Sequence, residues 1–445
     1  MQASVNEREL VLDMLLQITR DGEYSHIVLK NVLDKYQYLD KRERAFITRV
    51  VNGTLEHMIE IDYIINQFSK VKANKMKPVI RTIMRSSVYQ MKYMDSVPDS
   101  AVCNEAVKLA GKRGFVNLKG FVNGVLRNIS RNLDKIGYPD EKDTAAYISV
   151  RYSLPEWLVK QWLHVYDEDT VKAIGEAFLK EHPLTVRFDE HKIAKSELIK
   201  ILKEEGVTVT EDAQVPCALY LSGYDHLGVL GSFCDGLYQV QDLSSMQVAL
   251  WAEPQEDDQV IDVCAAPGGK AIHIAELLNG TGHVEARDLS EYKVDLIWDN
   301  INRSGLKNID AVCHDATIGD PEKKETADIV IADLPCSGLG VLGKKPDLRY
   351  KMNEQTEKDL VQLQRKILSV VNTYVKPGGK LLYSTCTIHR EENEGNVEWF
   401  LKQYPEFELV KDKQMLPGVD AGDGFYIAML KKVNHWGVPL SGICQ

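Results

Sequence analysis

From about Gln259 onward, short apolar segments alternate with stretches of helical periodicity. The segments that predict strands are residues 260–263, 283–286, 310–313, 329–332, 380–384 and 425–430. Strands that alternate with helices imply a parallel, doubly wound α/β sheet. Because ligands of such sheets bind beyond the carboxyl ends of the strands, polar residues at those ends are the candidates for a functional site.

A glycine-containing loop joins the first of these strands to a helix predicted at residues 271–278. The loop consists of Cys264, Ala265, Ala266, Pro267, Gly268, Gly269 and Lys270. Glycines let the backbone approach a ligand closely, and the amides at the start of the helix then face that ligand. The loop matches neither a Walker phosphate loop nor a complete dinucleotide fingerprint, and glycine turns before helices are common. Alone, it is weak evidence for a nucleotide-like cofactor.

Aspartates follow three of the predicted strands and strengthen that interpretation. Asp262 ends the first strand, Asp288 lies 26 residues later at the end of the second, and Asp315 follows the third. A carboxylate at the end of the second strand can accept hydrogen bonds from both hydroxyls of a ribose. One strand-end aspartate is often only a helix cap. Three of them in register with a glycine loop favour an adenosine-type ligand.

Two cysteines follow the fourth and fifth strands. Asp333 ends the fourth strand and leads into Pro335-Cys336-Ser337-Gly338, and the fifth strand leads into Ser384-Thr385-Cys386-Thr387. Adjacent strand ends would bring Cys336 and Cys386 together, and Asp333 could hydrogen-bond a ring nitrogen and an amino group. A partly ionised thiol is a soft nucleophile that can add to an electron-poor ring carbon. The alternative is two cysteines that only pack at strand ends, where apolar surroundings would make their thiols inert.

Length and composition set outer limits on the protein. The 445 residues allow about two to four domains, and 44% hydrophobic with 27% charged residues is typical of a soluble globular protein. No apolar run approaches the roughly 18 residues that a membrane span needs, and residues 1–8 lack a signal-peptide core. The sequence therefore predicts a cytoplasmic protein without membrane contact.

The eight cysteines include no Cys-x-x-Cys pair, so neither a zinc site nor a disulfide framework is indicated. Free cysteine usually behaves as a small buried hydrophobe. We expect that behaviour of Cys103, Cys217, Cys313 and Cys444.

The net charge of −11 argues against a nucleic-acid partner, because phosphate binding requires basic surface. The charge is unevenly distributed, however. Residues 1–140 hold 22 Lys+Arg against 16 Asp+Glu, whereas the remainder hold 32 against 49. A basic front part is thus joined to an acidic back part, although a chance imbalance on solvated faces explains the charges alone equally well.

The apolar spacing divides the chain into four parts. Residues 1–135 predict an all-α domain, residues 136–235 predict linker helices and a small α+β module, residues 236–435 contain the α/β sheet, and residues 436–445 form a tail. Within the first part, Asp40 and Glu43 are spaced as a capping box, and Asp99 should begin another helix.

A basic segment, residues 108–131, lies near the end of the all-α part. Its cations include Lys112, Arg113, Lys119, Arg127 and Arg131, with Phe115 and Phe121 among them. Cations mixed with aromatic rings are typical of RNA-binding surfaces. An amphipathic helix with a solvated basic face gives the same pattern, so both interpretations stay open.

The motifs together resemble those of a known family. Residues 236–435 are similar to the RNA 5-methylcytosine methyltransferases that use S-adenosylmethionine and have a Rossmann-like class I methyltransferase fold. The resemblance is carried by the glycine loop, the two cysteine segments, Val240-Gln241-Asp242, residues 340–350 and Glu391-Glu392-Asn393-Glu394. The helical front resembles the NusB-type RNA-binding domain. The pairing of the two resembles the ribosomal RNA small-subunit methyltransferase B group across nearly the whole chain.

This resemblance implies methylation of C5 of a specific cytosine in 16S ribosomal RNA. In the family, the cysteine at the position of Cys386 attacks C6 of the cytosine, and the one at Cys336 serves in resolving the adduct after a base removes the C5 proton. The cofactor contacts fall on residues 264–270, Asp288, Asp315 and Asp333, and Asp333 also orients the cytosine. The implied partner is 16S ribosomal RNA, free or in an early assembly intermediate. We expect a monomer that needs no metal.

Three positions depart from the family pattern. Leu334 replaces a usual alanine, Ala271 stands where threonine often follows the lysine, and Arg187-Phe188-Asp189 replaces a more usual Arg-x-Asn. None removes a reacting group, but the third leaves the role of the middle module open. Two rival functions also stay open. One is a methyltransferase for another RNA or for protein, and the other is an RNA-binding protein whose back half only senses the cofactor.

Overall fold

The structure is a computed structural model that describes residues 6–181 and 183–433. Its contacts group the chain into two units, Met1–Lys180 with Leu342–Lys351, and Glu181–Val341 with Met352–Gln445. The predicted tail, residues 436–445, and Cys444 lie outside the described residues. The domain boundaries that the sequence suggests at residues 135, 235 and 435 stay predictions.

The first unit is built from helices, as the apolar spacing predicts. They are α1 (Glu7–Thr19), α2 (Ser25–Lys35), α3 (Lys41–Glu56), α4 (Met58–Phe68), α5 (Pro78–Tyr93), α6 (Asp99–Lys112), α7 (Lys119–Ser130), α8 (Thr144–Arg151), α9 (Glu156–Leu163) and α10 (Glu168–Ala177). The predicted capping box begins α3, where the Asp40 carboxylate accepts from the Glu43 amide and the Glu43 carboxylate from the Asp40 amide, both at 2.8 Å. Leu12, Ile83 and Leu126 are among the buried side chains of its core.

A buried carboxylate, Glu60 on α4, ties several elements of this unit together. It accepts hydrogen bonds from the hydroxyl of Tyr138 at 2.5 Å and from that of Tyr93, and it lies 3.4 Å from both Lys92 Nζ and His57 Nδ1. Burial alone would raise the pKa of Glu60. The hydrogen bonds from His57, Tyr138 and Tyr93 and the charge of Lys92 outweigh burial and lower the pKa from 4.5 to about 2.

We expect the lowered pKa of Glu60 to appear as pH-dependent stability. Its contribution is complete above the unfolded pKa of 4.5 and is lost as the pH falls toward the folded pKa of about 2. The shift corresponds to about 3 kcal/mol. Glu60→Gln should therefore lower the urea midpoint of helical circular dichroism strongly at about pH 7 and much less at about pH 3. The exposed Glu141→Gln is the control, and an equal loss for Glu60→Gln at both pH values would contradict the prediction.

Residues 184–240 form a four-stranded antiparallel sheet with two helices, which confirms the predicted α+β module. The strands are β1 (Leu184–Phe188), β2 (Thr208–Glu211), β3 (Ala218–Ser222) and β4 (Tyr238–Val240), in the order β2-β3-β1-β4. The helices are α11 (Lys195–Glu204) and α12 (Gly231–Cys234). Because Val186 pairs with Leu219 on one side and Val240 on the other, β1 is an interior strand.

The doubly wound sheet follows. Its strands are β5 (Gln259–Asp262), β6 (His283–Asp288), β7 (Ile309–Cys313), β8 (Ala327–Asp333), β9 (Val375–Thr385), β10 (Phe407–Met415) and β11 (Phe425–Lys432), in the order β10-β11-β9-β8-β5-β6-β7. The helices of this part are α13 (Leu243–Ala252), α14 (Gly269–Leu277), α15 (Glu291–Ser304), α17 (Glu354–Val371) and α18 (Glu394–Gln403). A short helix between α15 and α17 in the chain, α16 (Leu348–Lys351), belongs to the helical unit instead. Apolar cores cover both faces, since Ile331 packs in one and Val330 in the other.

The doubly wound sheet departs from the predicted parallel arrangement at one edge. The strands from β5 to β9 pair in parallel, but β11 runs antiparallel to β9 and β10 runs antiparallel to β11. The apolar pattern misses β10 because only its end residues, Phe407 and Met415, are buried. An edge strand covers little of the core and so needs no continuous apolar run.

The segment Leu342–Lys351 belongs to the helical unit. Arg349, which is almost fully buried, donates through Nη1 to the carbonyls of Glu56 at 2.8 Å and Ser153 at 3.1 Å. Tyr350 and Asp347 form hydrogen bonds with α3 and α2, respectively. This segment begins six residues after Cys336, yet it packs as part of the all-α core.

The free cysteines follow the prediction only in part. Cys103 is buried and Cys217 is half-buried, but Cys313 is exposed because it ends β7, an edge strand. Within residues 6–181 and 183–433, no helix is long and apolar enough to cross a membrane. The same residues contain no group of three or more His, Cys, Asp or Glu side chains that could hold a metal ion.

Candidate active site at the strand ends

The two cysteines meet beyond the ends of β8 and β9. These strands pair in parallel with Asp333 opposite Ser384, and the Leu334 amide continues the pairing by donating to the Ser384 carbonyl at 3.1 Å. Cys336 Sγ and Cys386 Sγ lie 3.3 Å apart. The structure thus brings together the two thiols that the strand order predicts to be neighbours.

Cys336 is a thiol that resists ionisation. The hydrogen bond to Cys386 and burial raise the pKa of Cys336 well above its ordinary value, and the charges of Cys386 and Glu392 act in the same direction. The raised pKa favours the protonated thiol of Cys336, which lies within hydrogen-bonding distance of the sulfur of Cys386. The thiolate is the nucleophilic form of cysteine, so Cys336 is the less suited of the two to attack.

Lys270 brings a positive charge to this pair. Its Nζ donates to Asp333 Oδ2 at 2.7 Å, and Asp333 Oδ1 accepts from Ser384 Oγ at 2.7 Å. Burial acts to lower the pKa of Lys270, but Asp333, Asp262 and Cys386 together raise it overall. A cation that stays protonated beside Cys386 favours the thiolate form of that cysteine.

The glycine loop turns at a residue with left-handed backbone. Gly268 has φ 104°, and a Cβ there would lie 3.3 Å from Ile297 Cγ2, so glycine is favoured. Asp288 fixes the loop, because its Oδ2 accepts from the Ala266 amide at 3.0 Å while its Oδ1 accepts from the Leu289 amide at 2.7 Å. Lys293 Nζ also lies 3.0 Å from Asp288 Oδ1, so Oδ2 is the oxygen left to accept a further hydrogen bond, such as one from a ribose hydroxyl.

The charges around the loop suit a cationic ligand. Asp262 is fully buried, its Oδ1 accepts from the Cys264 amide at 3.4 Å, and its Oδ2 has no hydrogen-bond partner among the described residues. Burial and the neighbouring charge of Asp333 raise the pKa of Asp262 to about 7. A buried acceptor without a donor is costly. A ligand that brings positive charge and hydrogen-bond donors would relieve that cost.

Asp315 is the one predicted cofactor residue whose described contacts do not reach the loop. Its carboxylate accepts from the Thr317 amide at 2.8 Å, two residues further along the chain, and that hydrogen bond is the main cause of its lowered pKa. Its proposed contact with an adenosine-type ligand stays a prediction.

Arg187 connects the α+β module to the glycine loop. Strand β1 places it in the interior, where Nε and Nη2 donate to Glu276 Oε2 at 2.9 and 2.5 Å. Its Nη1 donates to the Gly269 carbonyl at 3.3 Å and also to Gln241 Oε1. The α+β module, whose role the sequence leaves open, therefore stabilises the glycine loop through the hydrogen bonds of Arg187.

Two residues that the structure places at or behind the site, Arg187 and Glu392, receive no role from the sequence. Arg187 carries one signal that could have found it, a charged residue within a short apolar strand. Glu392 lies in one of the motifs that carry the family resemblance, Glu391-Glu392-Asn393-Glu394. Its contact with the Pro-Cys segment joins residues 55 positions apart, which local spacing cannot show.

The basic segment 108–131 only partly fits the predicted RNA surface. Lys112 pairs with Glu9 at 2.5 Å and Arg113 donates to Asp13 at 2.8 Å, so two of the predicted cations are neutralised. Phe115 and Phe121 pack against the helical core, which makes them poor platforms for bases. A shallow hollow of about 480 Å³ remains, lined by Asn104, Val107, Lys108, Lys119, Gly120, Asn123 and Arg127.

Comparison with known proteins assigns a family to this arrangement. Residues 249–431 match the family model for 16S rRNA methyltransferase RsmB/F, residues 5–131 that of the NusB family, and residues 154–225 that of the ferredoxin-like domain of RsmF/B-like methyltransferases. Probable ribosomal RNA small subunit methyltransferase B of Bacillus subtilis is 35% identical over 96% of this chain and 98% of that protein. The chain belongs to the ribosomal RNA small subunit methyltransferase B family.

Other relatives and structures agree with membership of the methyltransferase B family. Probable ribosomal RNA small subunit methyltransferase B of Synechocystis is 32% identical over 96% of this chain and 100% of that protein. Ribosomal RNA small subunit methyltransferase B of Escherichia coli O127:H6 is 29% identical over 97% and 100%. The crystal structure of PH0851 superimposes with a TM-score of 0.81 at 26% identity, covering 97% of this chain and 100% of that one. NSun6 from Pyrococcus horikoshii with SFG, at 24% identity, a TM-score of 0.57 and coverage of 63% and 98%, shares the fold.

Family membership confirms the predicted architecture and cofactor. The methyltransferase B chain combines a NusB-like helical domain, a ferredoxin-like module and a Rossmann-like methyltransferase domain that uses S-adenosylmethionine. The sulfonium and ammonium groups of this cofactor suit the carboxylates of Asp262 and Asp333, and its ribose hydroxyls suit Asp288. A donor on the cofactor would pair the buried Asp262 Oδ2, which has no hydrogen-bond partner among the described residues.

Proposed function

We propose that this protein methylates C5 of a cytosine in 16S ribosomal RNA through a transient bond between Cys386 and C6 of the base. The observation that carries the proposal is the 3.3 Å approach of Cys336 Sγ to Cys386 Sγ beside the Lys270–Asp333 pair. One thiol that ionises next to one that stays protonated suits an addition followed by an elimination. We place the reaction in the cytoplasm, with a monomeric enzyme acting on free RNA or an early assembly intermediate.

Cys386 begins the reaction because C5 of cytosine is a poor nucleophile. When the thiolate adds to C6, a sulfur–carbon bond forms and the C5–C6 π electrons make C5 nucleophilic. S-adenosylmethionine, when bound, would supply the methyl group: the C5–methyl bond would form as the methyl–sulfonium bond breaks, and the electron pair would stay on sulfur in the departing S-adenosylhomocysteine. A base then removes the C5 proton, the freed electron pair restores the C5–C6 double bond, and Cys386 leaves as a thiolate. Dividing one difficult step in this way is the advantage of covalent catalysis.

Cys336 and Asp333 have distinct tasks in this scheme. The protonated Cys336, 3.3 Å from Cys386, can donate to the sulfur as it leaves and so assist release of the product. Asp333 is fixed by Lys270 and Ser384, and its carboxylate can accept from the amino group of a cytosine. The base must leave its stack to reach these groups, which favours an unpaired region of RNA.

We propose that the basic hollow between α6 and α7 binds part of the RNA backbone. Lys119 and Arg127 line it. Replacing both by alanine should weaken RNA binding and reduce the slope of log affinity against log salt by about 1.4, since each phosphate contact on single strands contributes about 0.7. Filter binding across a salt series measures the slope. Lys112→Ala, which removes a cation already paired with Glu9, is the matched control, and equal slopes for wild type and the double variant would contradict the assignment.

Transfer of labelled methyl groups from S-adenosylmethionine to stripped 30S RNA, followed by bisulfite sequencing, tests the function. We expect one 5-methylcytosine in 16S RNA, and the same site should lack the mark in a strain without this protein. Methylation of transfer RNA or protein instead would support the first rival function. Cofactor binding without turnover on any RNA would support the second.

A further inference from the structure

A buried carboxylate lies directly behind the Pro-Cys segment. Glu392 has no exposed surface, its Oε2 accepts from the Ser337 amide at 3.0 Å, and its Oε1 accepts from the Ser337 hydroxyl at 2.5 Å. Both carboxylate oxygens therefore bind the residue that follows Cys336.

The same carboxylate is part of a network that reaches both cysteines. Gln364 Nε2 on α17 donates to Glu392 Oε2 and to the Pro335 carbonyl, each at 2.8 Å. Ser337 Oγ lies 2.7 Å from Thr387 Oγ1, and Thr387 follows Cys386 in the chain. The residues on either side of Cys336 and the residue after Cys386 are thus joined through one buried group.

Glu392 is itself held firmly in place. Its carbonyl accepts from the Tyr383 hydroxyl and, at 3.3 Å, from Asn396 Nδ2. His389 Nδ1 lies 3.2 Å from Glu392 Oε1, and its Nε2 lies 3.6 Å from Glu357 Oε2. Burial acts to lower the pKa of His389, but Glu392 and Glu357 raise it overall. The two carboxylates thus favour the protonated form of His389, and the remaining contacts of the Glu392 carboxylate are hydrogen-bond donors.

We propose that Glu392 is a positioning residue that fixes the Cys336 thiol against Cys386 for release of the covalent RNA adduct. This inference rests on the proposed function, because it assigns Glu392 to one step of that reaction. The geometry favours a role in release, because both oxygens of Glu392 bind Ser337 directly after Cys336, whereas the link to Thr387 after Cys386 passes through the Ser337 hydroxyl. The charge of Glu392 also contributes to the raised pKa of Cys336, which keeps that thiol protonated.

Glu392→Gln tests the proposal without changing side-chain size. An amide can accept at one end only. Its NH2 group would face either the Ser337 and Gln364 amides at the position of Oε2, donor against donor, or the Ser337 hydroxyl and His389 Nδ1 at the position of Oε1. We expect kcat for methylation to fall about tenfold with little change in KM for RNA, as expected when an interaction used only in the reaction is lost. The fraction of enzyme trapped as an RNA adduct stable to denaturing electrophoresis should rise, because attack by Cys386 is left intact.

Two further variants keep the test decisive. Glu392→Asp retains the charge and should restore part of kcat. Ser337→Ala removes only the hydroxyl contact and should raise the adduct fraction, as Glu392→Gln does. This second variant keeps the test possible if Glu392→Gln fails to fold. Glu398→Gln, on the exposed face of α18, is the matched control and should behave as wild type. Wild-type kcat in Glu392→Gln, or a lowered kcat without more adduct, would overturn the inference. If Cys386→Ala still methylated RNA at the wild-type rate, the proposed function itself would fail, which is a separate outcome from failure of the Glu392 assignment.

Discussion

Replacing Cys386 by alanine should abolish methyl transfer, with kcat/KM lowered by at least about a thousandfold, or about 4 kcal/mol of transition-state stabilisation. Without addition of a thiolate at C6, C5 of the cytosine stays unreactive, and no other described group replaces the sulfur that approaches Cys336 to 3.3 Å. Single-turnover transfer of labelled methyl groups to 16S RNA measures the effect.

The Cys386→Ala protein should still bind S-adenosylmethionine, because Gly268, Asp288 and Asp262 are untouched. Equilibrium dialysis of the cofactor distinguishes loss of chemistry from loss of fold. Cys313→Ala, at the exposed end of β7, is the matched thiol control and should retain full activity. A Cys386→Ala protein that kept more than about a tenth of the wild-type rate would refute covalent catalysis by this residue.

Replacing Cys336 by alanine should have the opposite signature. Attack by Cys386 remains possible, but the protonated thiol 3.3 Å from its sulfur is gone, so the adduct should accumulate with one RNA per protein. Denaturing electrophoresis with labelled RNA detects this complex. The double variant Cys336→Ala with Cys386→Ala should show none, since the attacking sulfur is also absent. Normal turnover without adduct in Cys336→Ala would remove the release role assigned to this cysteine.

The sequence predicts the catalytic half of the fold well because strands buried in a doubly wound sheet are recognisable as short apolar segments. Strands β5, β6 and β8 lie in the interior of the sheet and are apolar in sequence. The loop that follows β5 contains the proline and glycines that predict a turn. The closeness of Cys336 and Cys386 follows from the same reasoning, because β8 and β9 are neighbours. The local sequence pattern is therefore sufficient to predict a site whose residues lie at the ends of strands.

The features that the sequence does not predict depend on contacts between segments that are far apart in the chain. The spacing of residues within one segment carries no information about such contacts. Strand β10 is exposed along most of its length and has no apolar signature. Phe115 and Phe121 lie among cations in sequence, yet packing against the helical core decides where their rings go. Arg187 reaches the glycine loop across 82 residues, a contact set by tertiary packing rather than by either local sequence.

The segment Leu342–Lys351 limits how members of this family could exchange parts by recombination. Its ten residues are encoded within the catalytic half but pack in the helical unit, where Arg349 donates to backbone carbonyls of residues 56 and 153. A hybrid that received only the first 180 residues from a distant relative would set a foreign helical surface against the native Arg349. Successful chimaeras should therefore need two crossovers, so that the helices and this short insert are inherited as a matched set.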